Sequence, residues 1–176
     1  IIYKGQNAID GGRFAFEFVV PKDISYNDGE GRIVLFANSG DGQRQINGVS
    51  GGVEFNGTGN LPLDSIGPSV FCYLNTPSFA NGDKVNATPY FMAEIYDESG
   101  INATGTGIGH DMTLVIDGSP AMTYNLNDSF SFDYGSYQSG KVGFAIPTLA
   151  TGSHKLMFRA WEVLNNSPVA ELSFVV

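Results

Sequence analysis

The sequence predicts an all-β protein, an immunoglobulin-like or jelly-roll-like β-sandwich of roughly ten short antiparallel strands. Three observations carry that expectation. Apolar and polar residues alternate with period two through most of the chain, and no window holds a 3.6-residue repeat. Turn-forming clusters of Gly, Asn, Asp, Ser and Pro separate the alternating runs at about 8- to 12-residue intervals. Charged residues are only 15% of the chain and glycine occurs 23 times, where an ordinary domain is about 25% charged. A length of 176 residues can bury a sizeable core, and residues 1–176 are read as one domain.

The first strand is expected at Phe14, Phe16, Phe18 and Val20, which share one face opposite Arg13, Ala15 and Glu17, with Pro21 ending it. The polar turn Asn27 to Gly31 then leads into Arg32-Ile33-Val34-Leu35-Phe36-Ala37, so these two strands are expected to form a hairpin. Residues 38–68 are glycine-rich and read as a long loop excursion with one short strand, Val53 to Phe55. Further strands are expected at Ser69 to Leu74, Tyr90 to Tyr96, Met112 to Asp117, Phe130 to Tyr134, Lys141 to Ile146, His154 to Val163 and Ala170 to Val176. Turns lie between them at Ala80 to Asp83, Asp97 to Gly100, Asp117 to Pro120, Ser139-Gly140 and Thr151-Gly152.

With 18 acidic against 9 basic residues the chain carries a net charge of −9. That excess would repel phosphates, so nucleic acid is excluded as a partner. The single cysteine, Cys72, cannot form an internal disulfide and sits in the apolar run Val70 to Leu74, where a thiol behaves as a small hydrophobe. No apolar run approaches the roughly 20 residues of a spanning helix, so no transmembrane segment is expected. The chain starts without Met and stops on the strand pattern Phe174-Val175-Val176, and is read as a piece of a longer polypeptide.

The stretch Gly107-Ile108-Gly109-His110-Asp111 poses the main functional question, because a histidine beside an aspartate can be half of a catalytic site. No Gly-x-Ser-x-Gly motif accompanies it, Cys72 lies in an apolar strand, and His154 has no acidic neighbour in sequence. The preferred reading is structural: Gly107 and Gly109 permit an unusual loop, and His110 and Asp111 bond backbone groups to pin the next strand. No catalytic residue is expected in this fragment. Calcium is a candidate structural ion at Asp97, Glu98, Asp111 and Asp117, should those acidic loop residues converge. The EF-hand register fails from Asp23, since positions 6 and 12 of that loop hold Asp28 and Val34. One Cys and two distant His do not make a zinc site. For glycan, Tyr134, Tyr137 and Trp161 are the candidate stacking platforms, with Trp161 sharing the outer face of its strand with Lys155 and Arg159.

Several segments taken together resemble a known family. They are Pro21-Lys22-Asp23-Ile24, Tyr26 and Gly31 to Ala37; Asp64, Gly67-Pro68 and the run to Asn75; Ala93 to Asn102 followed by Gly107 to Asp111; and Ala160-Trp161-Glu162-Val163-Leu164-Asn165-Asn166-Ser167. From about Phe16 to Val176 the chain is similar to the region that follows the peptidase domain in PorU-type, gingipain-like cysteine endopeptidases of type IX secretion. The resemblance implies a parent on the extracellular face of a gram-negative outer membrane. That parent would remove sorting signals from secreted cargo and help attach it to anionic lipopolysaccharide. The family's cysteine–histidine dyad belongs upstream, and no position here matches it. Under the same surface address, Asp64-Ser65-Ile66 resembles a bacterial O-glycosylation triplet.

The expected function is therefore a non-catalytic accessory domain. Its partners would be the upstream peptidase domain of the same chain and other secretion-system or surface proteins. Trp161, Arg159 and Tyr137 are the residues expected at the interaction surface, since interfaces favour aromatics and Arg. The alternative is a carbohydrate-binding module of a secreted or surface protein, with calcium as its ion.

Overall fold

The computed structural model describes residues 1–24, 29–57, 59, 63–105 and 107–176, which contain ten β-strands and no α-helix. The strands are β1 Gly29–Asn38, β2 Gln45–Phe55, β3 Ser69–Leu74, β4 Tyr90–Tyr96, β5 Thr113–Ile116, β6 Thr123–Asn125, β7 Phe130–Phe132, β8 Ser139–Ala145, β9 Ser153–Arg159 and β10 Val169–Val175. Two compact units hold them. One comprises Ile1–Ile24 with Leu63–Val176, the other Ser25–Pro62.

The larger unit is an immunoglobulin-like β-sandwich of two four-stranded antiparallel sheets, ordered β10-β9-β5-β6 and β3-β4-β8-β7. Its period-two residues sort as a half-buried sheet requires. In β4, Phe91, Ala93 and Ile95 point inward while Tyr90 and Tyr96 are exposed. In β9, Leu156 and Phe158 are wholly buried, and the inward row continues into Ala160. The rings of Phe91 and Phe158 meet across the sheets, 5.2 Å apart at their centroids. Leu74, Ile101, Met112, Leu114, Ile116, Leu126, Val142, Ile146, Leu149 and Phe174 complete the core. Each such side chain stabilises the fold by about 1.5–3 kcal/mol relative to exposure.

The smaller unit is an antiparallel ribbon of β1 and β2. Gly31 pairs with Val53 but Ile33 pairs with Ser50, so two residues of β2, Gly51 and Gly52, face one of β1. This is a β-bulge, and Gly52 takes the positive φ of 82° that it needs. Ile33, Leu35 and Ala37 line one ribbon face, while Val34, Phe36 and Val49 are exposed on the other. At Gly31 a Cβ would lie 2.3 Å from the Phe55 ring, so only glycine admits that ring there.

Three expectations change. Phe14 to Val20 is not a strand: a bridge between Asp10 and Arg13 closes nearby around Gly11 and Gly12, and the alternating rings stack on one another instead. Phe14–Phe16 and Phe16–Phe18 stand 6.3 Å apart and near-parallel, and Phe18 stacks on Tyr3 at 4.9 Å. Ring stacking thus accounts for an alternation that equally fits a sheet face. Consequently β1 pairs with β2, not with that segment; of the turn expected at Asn27 to Gly31, Asn27 and Asp28 lie outside the described residues, as does Tyr26. Lastly, the loop excursion contains an eleven-residue strand, β2, of which Val53 to Phe55 is only the end. Its glycines depress strand propensity and hid it.

Candidate functional site

The Gly107 to Asp111 loop does place His110 beside a carboxylate, but that carboxylate is Asp23. Nδ1 of His110 lies 2.9 Å from Oδ2 of Asp23, whose side chain is 5% exposed. The carboxylate accepts, so Nδ1 carries the proton and donates. Asn102, wholly buried, donates from Nδ2 to the other oxygen, Oδ1, at 2.9 Å. Gly107 makes the contact sterically feasible. A Cβ there would stand 2.2 Å from Asp23 Oδ2 and 2.6 Å from His110 Nδ1. Gly109, at φ 81°, turns the chain back so that the His110 N–H donates to the Gly107 carbonyl. Among the described residues no serine, threonine or cysteine is hydrogen-bonded to His110, whose printed partner is the Asp23 carboxylate.

Around this pair four of the segments that carry the family resemblance meet, those holding Asp23, Asp64, Asn102 and Trp161. The Trp161 ring packs against His110 with centroids 4.3 Å apart, and the Arg159 guanidinium lies 5.7 Å from the Trp161 ring. Asn102 N donates to the Trp161 carbonyl, and Ile101 bridges Glu162. Glu162 is wholly buried, and its two carboxylate oxygens take the backbone N–H groups of Leu164 and Asn166. Asn166 Nδ2 donates to the Asp64 carbonyl, while Asp64 Oδ2 accepts from Ser99 Oγ at 2.9 Å. Tyr137 lies along the same strip: its carbonyl accepts from Ile101 N, and its ring covers Gly100, whose Cβ would be 2.8 Å away. These bonds tie distant loops together, which is a bracing geometry.

Among the described residues, no hydrogen bond from the His110 or Asp111 side chain reaches the start of β5. Asn127 reaches it, accepting from Met112 N at 3.0 Å and donating to the Ala103 carbonyl. The partners that the sequence did not announce are Asp23, Asn102, Asn127, Asn166 and Asp64. All are Asn or Asp, Asn127 at the head of the 3-10 turn Asn127–Ser129 and the others in irregular segments, where only coordinates give the partner.

The four acidic calcium candidates are not gathered, and among the described residues no group of three or more His, Cys, Asp or Glu is set to hold a metal. Asp97 is buried, and its Oδ1 accepts from the N–H groups of Ser99 and Gly100. Burial, with the nearby charges of Glu162 and Asp64, still pushes its pKa up to about 6. Glu98 offers its carbonyl to Gln138 Nε2. Asp111 Oδ1 lies where a Cβ on Gly105 would meet it at 2.7 Å. Asp117, in a left-handed turn with φ 54°, belongs to a second histidine, His154. The Cys72 thiol is pushed up to about 12 by burial, which suppresses the thiolate that nucleophilic chemistry requires.

No protein-family model and no curated protein matches the chain. Among solved structures it is similar to the dimeric latent PorU of Porphyromonas gingivalis, at 40% identity and a TM-score of 0.62. That likeness covers 93% of this chain but 15% of the other, so the chain corresponds to one part of that protein. An endo-β-1,4-mannanase of Thermotoga petrophila aligns with 61% of this chain and 20% of its own at 10% identity and a TM-score of 0.39.

Proposed function

We propose that this chain is a non-catalytic accessory module of a PorU-type cysteine endopeptidase, displayed on the outer-membrane surface of its bacterium. The parent's peptidase would remove the sorting signals of type IX secreted proteins. The module would brace that peptidase and present a surface to it and to other secretion components. The observation that carries this reading is the Asp23–His110 pair. It joins loops that carry the family resemblance, and it is built as a tie rather than as a reacting centre. We extend the reading to self-association, since the PorU relative is dimeric.

The test is capture of the parental peptidase portion by the 176-residue chain, with Trp161→Ala, Arg159→Ala and Tyr137→Ala as variants. The expected result is saturable capture, weakened by at least one variant. Absence of capture by the unsubstituted chain would remove the accessory role.

A carbohydrate-binding function has one observation in its favour, away from Trp161. The outer face of β3, β4 and β8 forms an open groove lined by Phe71 and Tyr96, each 53% exposed, with Glu94, Asp133 and Lys141 beside them. Aromatic faces flanked by polar groups suit a sugar. Glycan-array binding that is lost on Tyr96→Ala would establish that function in place of the first.

A further inference from the structure

We infer that Ser65 is the acceptor of an O-linked glycan, transferred onto its hydroxyl after the turn around it has folded. The inference goes beyond the bracing role and rests on that reading only for the surface address. The triplet Asp64-Ser65-Ile66 resembles a bacterial O-glycosylation acceptor, and the fold displays it as a substrate. Ser65 is exposed, and among the described residues its hydroxyl has no hydrogen-bond partner. Leu63 is fully exposed and Ile66 75% exposed, which offers an incoming transferase apolar contact on both sides of that hydroxyl. The turn itself is fixed. Asp64 Oδ1 accepts from Ile66 N at 2.9 Å, closing an Asx-turn with Ser65 at its middle. Oδ2 of Asp64 accepts from Ser99 Oγ, and its carbonyl accepts from Asn166 Nδ2. On the other side Gly67 lies against Ser167 and Pro168, where a Cβ would stand 3.0 Å from Pro168 Cδ, and Pro68 is buried. Ser65 therefore projects from a stretch anchored at both ends, so an enzyme engages it with little loss of conformational entropy.

The sequence holds a second Asp-Ser pair, Asp128-Ser129, which the fold treats differently. It lies in the 3-10 turn Asn127–Ser129, and the next residue, Phe130, sets its ring edge-on to Phe132 and packs on the core. An aliphatic side chain standing in solvent after the serine is thus found at Ser65 and not at Ser129. In the transfer, Ser65 Oγ attacks the anomeric carbon of a sugar activated as a glycosyl diphosphate. The new O–C bond forms as the bond from that carbon to the diphosphate oxygen breaks, and the electron pair leaves with the diphosphate. The hydroxyl proton passes to a base on the transferase, because the Asp64 carboxylate is already engaged by the Ile66 N–H and the Ser99 hydroxyl. A bulky, hydrophilic glycan at this surface turn leaves the sandwich core untouched.

The experiment is peptide mapping by mass spectrometry on the full-length parent isolated from its own bacterium, with protease accessibility measured on the same intact cells. The peptide containing Ser65 is expected to carry added mass and to release sugar oxonium ions on fragmentation, while the peptide containing Ser129 is expected to carry none. Ser65→Ala should abolish the addition and Ser65→Thr, which keeps a hydroxyl, should retain it. Ile66→Lys should lower occupancy at least fivefold, and none of the three should change the sandwich's melting. An unmodified Ser65 overturns the inference, as does a glycan that survives Ser65→Ala, equal occupancy at Ser129, or a phosphate at Ser65 in place of sugar. Surface-accessible parent with a bare Ser65 removes this inference and leaves the surface address standing. Glycan on Ser65 of a parent that the protease cannot reach removes the address and leaves this inference standing.

Discussion

His154 is held at both ring nitrogens, with Nδ1 2.7 Å from Asp117 Oδ2 and Nε2 2.8 Å from the Ala150 carbonyl. Both partners are acceptors, so only the doubly protonated imidazolium makes both bonds. The Ala150 carbonyl and the Asp117 carboxylate accordingly raise the His154 pKa above 6.5. Burial works upward on Asp117, but the Lys155 N–H and His154 outweigh it together and leave its carboxyl below 3.8. The histidine's contribution to stability is full below 6.5 and fades as pH rises through its folded value. The aspartate's is present above 3.8 and fades as pH falls through its own lowered value. Calorimetric melting between pH 6.5 and 9 should therefore decline for the unsubstituted chain, and His154→Gln should flatten that decline.

Asp97 acts with the opposite sign to an ordinary paired carboxylate. Its folded pKa of about 6 exceeds 3.8, so the native state holds the proton more tightly between those values. Stability from this group is present at low pH and is lost as pH rises toward 6. Asp97→Asn keeps an Oδ1 acceptor for Ser99 and Gly100 while removing the charge beside Glu162 and Asp64. It should raise the melting temperature at pH 7.5 by about a few °C and have no such effect near pH 4. An unchanged or lower melting temperature at pH 7.5 would contradict the electrostatic account.

The Asp23–His110 tie should be more sensitive to its silent member than to its histidine. Gly107→Ala forces a methyl against both polar partners and should cost about 1–3 kcal/mol in urea unfolding. Asp23→Ala leaves the buried Asn102 Nδ2 without its acceptor and should cost a similar amount. His110→Ala leaves Asp23 its Asn102 donor, and His110 is 24% exposed, so its effect should be the smallest of the three. A His110→Ala loss larger than that of Asp23→Ala would refute this ranking.

Cys72 should report on folding. With its thiol pushed up to about 12, the native chain should react with an aromatic disulfide reagent at pH 8 chiefly through transiently unfolded molecules. Labelling rates across a urea series would then follow the unfolding equilibrium. Immediate stoichiometric labelling of native protein would show that the thiolate is accessible.

The sandwich was legible wherever one sheet face is buried. Strands β3 and β4 fall on the residues their alternation marked, and β5, β8, β9 and β10 are displaced by at most a few positions or shortened. Alternation could not distinguish a sheet face from the ring stack of Phe14, Phe16 and Phe18. It also could not find β2, whose Gly48, Gly51 and Gly52 supply no side chain to alternate. At the candidate site the sequence pointed to the loop but named no side-chain partner for His110. His110 stands next to Asp111 along the chain, while the carboxylate it meets is 87 positions away. Glycine at 107 was legible as a backbone device, but its role as clearance for Asp23 depends on that distant approach.

The bond between Asp64 and Asn166 spans 102 positions, and Asp23 lies 79 and 87 positions from Asn102 and His110. Loop closures of that span lose entropy before any contact compensates for it. The chain should accordingly collapse onto its native seams late, on a timescale of about milliseconds to seconds. During synthesis the tie from Asp64 to Asn166 must wait for Asn166, so the whole stretch between them has to emerge before this end of the sandwich can lock.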